Sequence, residues 1–192
     1  MSKRILLIAG CALTIALGAV QTPLAQSNPA QEAALPPRSS PPSGSDEMLA
    51  ASKAYEFGDY STAHAIWLRL AEQGNAMSQA SLAYLYREGR GVRRDSETAA
   101  QWYYQAALQG DPTAQSFLCE MHLRGDGVQR NLELALMWCE LSIEGGETRG
   151  IWYREETLNQ MTTQERDSAW ALVVKWRQTQ SRARGQTDAP AK

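Results

Sequence analysis

Residues 82–110, LAYLYREGRGVRRDSETAAQWYYQAALQG, decide the fold of this chain, because the same pattern returns 36 residues further on. The second copy is LCEMHLRGDGVQRNLELALMWCELSIEGG at residues 118–146. Glycine marks the period most plainly, since Gly74, Gly110 and Gly146 are spaced by 36. Other positions match at the same offset: Ala63 with Ala99 and Ala135, Gly91 with Gly127, Gln79 with Gln115, and Trp102 with Trp138. A fixed period of about 20–50 residues is typical of stacked repeats.

Each copy predicts two helices joined by a short loop. Apolar residues of the second half recur at intervals of three and four, which places them on one face of a helix. In the first copy they are Ala99, Trp102, Tyr103, Ala106 and Ala107. Asp95 and Asn131 stand where a side-chain oxygen caps the start of this second helix. The glycines at 74 and 110 follow its end, where the backbone turns left-handed.

One such pair cannot bury its apolar face alone, so successive pairs must stack into a continuous core. We therefore predict an all-α fold, an α-solenoid of stacked antiparallel helix pairs with about seven or eight helices. Near the carboxyl end, Thr162 and Glu165 have capping-box spacing. An apolar stripe follows them, formed by Ala169, Leu172, Val173 and Trp176. This last helix is predicted to cover the end of the solenoid core.

The repeat pattern resembles a known family. Residues 82–92, followed by Asp95, Ala99 and Gly110, resemble a Sel1-like repeat, a relative of the tetratricopeptide repeat that occurs in exported bacterial proteins. The copy at 114–146 departs from the family pattern at Cys119 and His122, and residues 54–74 resemble a tetratricopeptide-type pair with a shorter loop. The resemblance covers about residues 48–146. It implies a role in binding other proteins, including regulation of signalling or envelope assembly in the periplasm.

The composition divides the chain into four predicted segments. Residues 1–25 are predicted to be a Sec signal peptide, because Lys3 and Arg4 precede an apolar run, residues 5–20, that is short for a membrane span of about 20 residues. Residues 26–47 form a Pro/Ser-rich disordered linker, 48–177 the solenoid, and 178–192 a disordered tail. The expected location is periplasmic or secreted. Membrane association arises only if the signal stays uncleaved or Cys11, which lies in a lipobox-like sequence, is lipidated as in a lipoprotein.

Composition excludes several kinds of function. A net charge of −2 gives no basis for sequence-independent nucleic-acid binding. Two histidines and three cysteines leave no metal cluster to predict, and no motif for a cofactor or a catalytic centre is present. His64 and His122 are expected to pack or lie at the surface, since neither has a recognisable acid or nucleophile partner. No lysine follows a serine by three residues, which argues against the β-lactam chemistry of some cysteine-rich Sel1-like proteins.

Cys119 and Cys139 fall on the two helices of one pair. An antiparallel hairpin brings these helices together, and an oxidising compartment would allow a disulfide between them. Two buried thiols are the alternative, since free cysteine behaves as a small apolar residue. The sequence leaves both open.

The first helix of each pair is expected to line the concave side of the solenoid. With Leu82, Leu85 and Tyr86 assigned to the core, other positions face outward and differ between the copies. Our candidate partner-binding residues are Tyr84, Arg87, Phe117, Glu120 and Arg124. Aromatic and arginine side chains suit a protein or peptide contact.

The leading functional hypothesis is a non-catalytic periplasmic protein-interaction module, an adaptor or regulator. The alternative is an accessory that binds peptidoglycan or assists envelope assembly. A β-lactam-binding or β-lactam-hydrolysing enzyme is the third hypothesis and has the least support from the residues.

Overall fold

A computed structural model describes residues 44–183, which form eight helices and no strand. The helices are α1 (Gly44–Glu56), α2 (Tyr60–Glu72), α3 (Ala76–Glu88), α4 (Ser96–Leu108), α5 (Pro112–Arg124), α6 (Leu132–Glu144), α7 (Arg149–Leu158) and α8 (Thr163–Ala183). Helices adjacent in sequence pack together from α1 to α7, and α8 packs on α6. The predicted all-α solenoid is confirmed over this part of the chain.

The repeat period appears directly in the helix boundaries. The helices α3 and α5 begin 36 residues apart, as do α4 and α6, and all four have 13 residues. Side-chain caps fix these starts, since Asp95 accepts a hydrogen bond from the Thr98 N–H at 3.0 Å and Asn131 accepts one from the Leu134 N–H at 2.9 Å. The predicted capping box is also present: the Thr162 N–H donates to the Glu165 carboxylate at 2.8 Å.

Buried glutamines join each helix pair to the one before it. The Gln79 side-chain amide donates to the Ala71 carbonyl at 3.1 Å, and the Gln115 amide donates to the Ala107 carbonyl at 3.3 Å. These carbonyls belong to the last turns of α2 and α4, whose carbonyl groups lack partners within their own helices. The matched glutamines therefore stabilise the contact between neighbouring pairs.

The loop glycines make a second contact between pairs, which the sequence analysis did not predict. Gly91, in the loop between α3 and α4, lies against the start of α2, where a Cβ atom would come within 2.6 Å of the Cβ of Tyr60. Gly127 lies in the next loop and contacts the backbone of Ser96 at the start of α4. Both contacts obey the period of 36, so each loop rests on the second helix of the preceding pair.

The core follows the predicted apolar faces. Ala99, Tyr103 and Trp138 are fully or almost fully buried between the pairs. On α8, Ala169 and Val173 are buried, while Leu172 and Trp176 are partly buried and pack against the core.

The described helices extend beyond both ends of the predicted solenoid, residues 48–177. The first helix begins at Gly44, inside the predicted linker, and the last runs to Ala183, inside the predicted tail. From Lys175 onward α8 is polar on most sides, so hydrophobic periodicity did not predict that this segment is helical. The predicted signal peptide, its cleavage after Ala25 and the Cys11 lipidation site lie outside the described residues. Among residues 44–183, no helix is long and apolar enough to cross a membrane.

Candidate protein-binding groove

A groove of about 430 Å³ lies between the first helices of successive pairs. Its sides are α3 and α5, with α1 at one end and α7 at the other. We call it the tyrosine–arginine groove. Its lining residues are Tyr55, Trp67, Met77, Ala80, Ser81, Tyr84, Asp111, Thr113, Phe117 and Arg149. The ring centroids of Tyr55 and Tyr84 are 6.3 Å apart, and those of Tyr84 and Phe117 are 6.1 Å apart, so aromatic rings follow one another along it.

Three tyrosines surround Arg90 near the α1 end of the groove. Its guanidinium carbon lies 5.5 Å from the ring centroid of Tyr55 and 5.6 Å from those of Tyr60 and Tyr84. One of its N–H groups donates to the Tyr55 hydroxyl at 2.5 Å. Cation–π contacts of this kind hold an arginine in place without neutralising its charge. Burial and the neighbouring Tyr84 raise the pKa of Tyr55, which therefore stays neutral at physiological pH.

Phe117 is not the outward residue that the sequence analysis expected. Its exposed fraction is 6%, and its ring stacks on Tyr103 with centroids 4.7 Å apart. Two guanidiniums cover it, those of Arg87 at 4.7 Å and Arg149 at 4.6 Å from the ring centroid. The physical reason is α7, which packs beside α5 and brings Arg149 over the ring. Phe117 is thus part of the floor of the groove.

Glu120, also expected to face outward, is buried in an ionic network. Its carboxylate lies 2.9 Å from a guanidinium nitrogen of Arg87 and 3.5 Å from one of Arg124. Burial raises the pKa of the neighbouring Tyr153, and hydrogen bonding to Glu120 adds to this shift. Arg87, Glu120 and Tyr153 therefore connect α3, α5 and α7. Of the five candidate residues, Tyr84 lines the groove with its side chain half-buried and Arg124 is the most exposed.

Replacing Glu120 with glutamine is expected to lower the free energy of unfolding by about 2 kcal/mol, since the change removes the nearer and better buried of the two carboxylates that pair with the partly buried Arg87. Glu88→Gln is the matched control. The Glu88 carboxylate is 3.8 Å from Arg87 but 38% exposed, and such surface pairs contribute less than about 1 kcal/mol. Urea unfolding of both variants measures the difference. Equal losses in the two variants would contradict a structural role for the network.

His122 is buried beside the loop of the second repeat. Its Nδ1 lies 3.3 Å from the Gln129 carbonyl, and burial lowers the pKa of its ring. His64 contacts the Tyr86 hydroxyl at 3.2 Å, and burial lowers the pKa of its imidazole as well. Both histidines pack within the helix pairs, which is one of the two roles, packing or surface, that were expected from the sequence.

These lowered pKa values predict a pH dependence of stability. At a pH near 6.5 and below, the unfolded chain binds more protons at its histidines than the folded chain does, so the contribution of the histidines to the free energy of unfolding falls as the pH decreases. A His122→Gln variant is expected to lose less stability than the parent between pH 7.5 and 5.5, because one of the two protonation sites is gone. Urea titrations of both proteins at several pH values test this. Parallel curves would contradict it.

Cys119 on α5 and Cys139 on α6 are joined by a disulfide in the structure, with Cα atoms 5.2 Å apart. Both side chains are fully buried. The bond connects the two helices of the second repeat, close to the ionic network at Glu120. It thus fixes the helix that carries the floor of the groove.

Tyr55 and Arg149 line the groove and Arg90 lies against the rings of Tyr55 and Tyr84, yet none of the three was predicted from the sequence. Arg90 occupies the variable position of the Gly-x-Gly loop, which was interpreted only as a turn. Arg149 follows Gly146, where the repeat pattern ends, so no period could place it. The described residues contain no cluster of three or more histidine, cysteine or acidic side chains able to hold a metal ion.

Comparison with known proteins agrees with the fold. The Sel1 repeat model matches residues 76–111 and 112–147. The structure is similar to c5321, a protective antigen present in uropathogenic Escherichia coli strains displaying an SLR fold. That match has a TM-score of 0.67 and 22% identity, and covers 78% of this chain and 34% of the antigen chain. It is also similar to a Sel1 repeat protein from Oxalobacter formigenes, with a TM-score of 0.53, 29% identity, and coverage of 56% of this chain and 44% of that one.

The chain thus spans about a third of the first of these structures and less than half of the second. Comparison with curated proteins gives no match. The two matched segments coincide with the pairs α3–α4 and α5–α6, including the loops that rest on the preceding pair. Residues 76–147 of this chain therefore match two consecutive Sel1 repeats.

Proposed function

We propose that this chain is a non-catalytic protein-interaction module that acts as an adaptor or regulator in the periplasm. Sel1 repeat proteins are generally protein-interaction modules. The observation that carries the proposal is the tyrosine–arginine groove, which extends across both repeats and remains open to solvent. Aromatic and arginine side chains are the residue types enriched at the centres of protein interfaces.

The groove differs between repeats where the core agrees, which suits a specific partner. Core positions such as Leu82 and Leu118 keep the same residue at the offset of 36. By contrast, two pairs of lining residues at the same offset differ: Met77 corresponds to Thr113, and Ser81 corresponds to Phe117. The side chains that α3 contributes to the groove therefore differ in size and polarity from those that α5 contributes. Stacked repeats commonly use such extended surfaces for binding.

Two observations support a location outside the cytoplasm. Lys3 and Arg4 followed by an apolar run are typical of a secretory signal. The disulfide between Cys119 and Cys139 is typical of oxidising compartments. Osmotic-shock fractionation of cells tests the location. Release with periplasmic markers is expected, and retention in the cytoplasm would contradict the proposal.

In-cell photo-crosslinking tests the function. Met77 and Tyr84 are the positions for the crosslinker, because both line the groove and Met77 is 62% exposed. Lys175, exposed on α8 and outside the groove, is the control position. A dominant protein adduct from position 77 or 84 that is absent from position 175 is the expected result. Glycan-bearing adducts would favour the peptidoglycan-binding accessory instead, and no adduct from either groove position would overturn the proposal.

The non-catalytic part of the proposal has its own test. Incubation of the purified protein with a fluorescent penicillin is expected to give no covalently labelled band. Labelling that survives denaturation and is blocked by unlabelled penicillin would favour the β-lactam-handling enzyme.

A further inference from the structure

The arginines around the groove are of two kinds. Arg87 and Arg124 share Glu120 as their counter-charge. Within residues 44–183, neither Arg90 nor Arg149 forms an ion pair with any carboxylate. One of these two arginines lies near each end of the row of aromatic rings.

Arg90 and Arg149 are therefore two positive charges at or beside the groove without a paired carboxylate, although the whole chain has a net charge of −2. The Glu147 carboxylate also lies beside the groove, where it accepts a hydrogen bond from the Arg149 backbone N–H at 3.1 Å. The acidic residue of the lining is Asp111, whose carboxylate caps α5 by accepting a hydrogen bond from the Ala114 N–H at 2.7 Å. It is thus already engaged with the helix amino terminus, a favourable position for a negative charge. After the pairing of Arg87 with Glu120, the charges of Arg90 and Arg149 remain available to a partner.

The placement of Arg149 favours a carboxylate as its ligand. Its guanidinium lies over the ring of Phe117, and its side chain is exposed on the groove wall. An arginine over an aromatic ring retains its N–H donors, and these form two parallel hydrogen bonds with a planar carboxylate. Beside it, Tyr84 and the 62% exposed Met77 provide an apolar surface.

We propose that the tyrosine–arginine groove binds an acidic segment of a partner protein, in which an Asp or Glu side chain adjoins an aromatic or aliphatic one. The carboxylate pairs with Arg149, and the adjoining apolar side chain packs on Tyr84 and Met77. A second acidic residue further along the segment would meet Arg90. This inference rests on the proposed interaction function and adds the chemistry of the partner.

Peptide selection tests the inference with the full chain. A phage library of random twelve-residue peptides is selected against the protein, and the enriched peptides are then measured by fluorescence anisotropy. Enrichment of Asp or Glu next to an aromatic or aliphatic residue is the expected result. For the tightest peptide, Arg149→Gln is expected to weaken binding about tenfold, as is replacement of the peptide's acidic residue by its amide. Arg182→Gln, an exposed arginine on α8, removes the same charge outside the groove and is expected to change the affinity less than about twofold.

The double change gives the decisive comparison. Once Arg149 is glutamine, the acidic and the amide peptide should bind almost equally, because the pair that distinguished them is gone. Enriched peptides without acidic residues, or acidic peptides indifferent to Arg149→Gln, would overturn the carboxylate chemistry and leave the proposed function standing. Failure to enrich any peptide also overturns the inference. The proposed function itself is decided by the crosslinking experiment, which assumes nothing about charge.

Discussion

Gly127→Ala is expected to lower the free energy of unfolding by about 3–5 kcal/mol, a large fraction of the stability of a domain of this size. Two costs add together. Gly127 has a φ of +69°, and a side chain in this left-handed region costs about 1–2 kcal/mol. In addition, the new methyl group would overlap the carbonyl of Ser96, and this neighbour is backbone at the start of α4 that cannot rotate away. The loop or the whole second repeat must shift.

Gly74→Ala separates the two costs. Gly74 also has a positive φ, of +89°, but nothing lies within 4 Å of the position where its Cβ would stand. This variant should therefore lose only the conformational cost of about 1–2 kcal/mol. Chemical denaturation of the parent and both variants measures the difference. Equal losses at the two positions would show that the loop does not rest on the preceding pair as the structure describes.

Hydrogen exchange measures which helices lose stability in the Gly127→Ala variant. Stacked repeats are stabilised mainly by contacts with their nearest neighbours, so a weakened interface should release the helices on one side of it. Faster exchange is expected in α5 and α6, with α1 and α2 much less affected. Uniform loss of protection along residues 44–183 would contradict this local effect.

Removal of the disulfide is expected to cost about 3 kcal/mol. The bond closes a loop with a sequence separation of 20 residues, and its loss restores conformational freedom to the unfolded chain. The variant for this test is Cys119→Ala with Cys139→Ala, which leaves no unpaired thiol at either buried position. Thermal and urea unfolding under non-reducing conditions measure the loss.

A reductant provides the matched control for the disulfide. Dithiothreitol should destabilise the parent toward the level of the double variant and leave the double variant unchanged. Titration of thiols in denaturant should show two additional thiols in the parent after reduction. A parent that is insensitive to the reductant, with both thiols titrating beforehand, would show that the cysteines are the buried free pair that the sequence left open.

Much of the local structure was predictable because it depends on short-range physics. The caps at Asp95 and Asn131 need only an acceptor side chain beside free N–H groups, and the period of 36 is visible in the residues themselves. The apolar stripe of α8 followed from its spacing. The caps and the stripe depend on residues within a few positions of one another, and the period is a property of the sequence itself, so all three can be inferred without the tertiary fold.

The partner surface was less predictable. Tyr84, which was expected to face outward, is half-buried and lines the groove, whereas Phe117 and Glu120 were expected outside and lie buried. Helical periodicity tells which residues of α5 share a face, but it does not tell which neighbouring helix covers that face. The register of the repeats ends at Gly146, and α7 then packs where no repeat pattern could place it.

By itself, the sequence determined the helix pairs, their order and their stacking, because burying the apolar face of one amphipathic helix pair requires the next pair. The tertiary structure alone decided which charges are neutralised and which remain available. Arg87 and Arg149 cover the same ring from different helices, yet only Arg87 meets the carboxylate of Glu120. Such pairing depends on distances of a few ångströms between segments far apart in the chain, and Coulombic interactions at this range are set by packing rather than by spacing in the sequence.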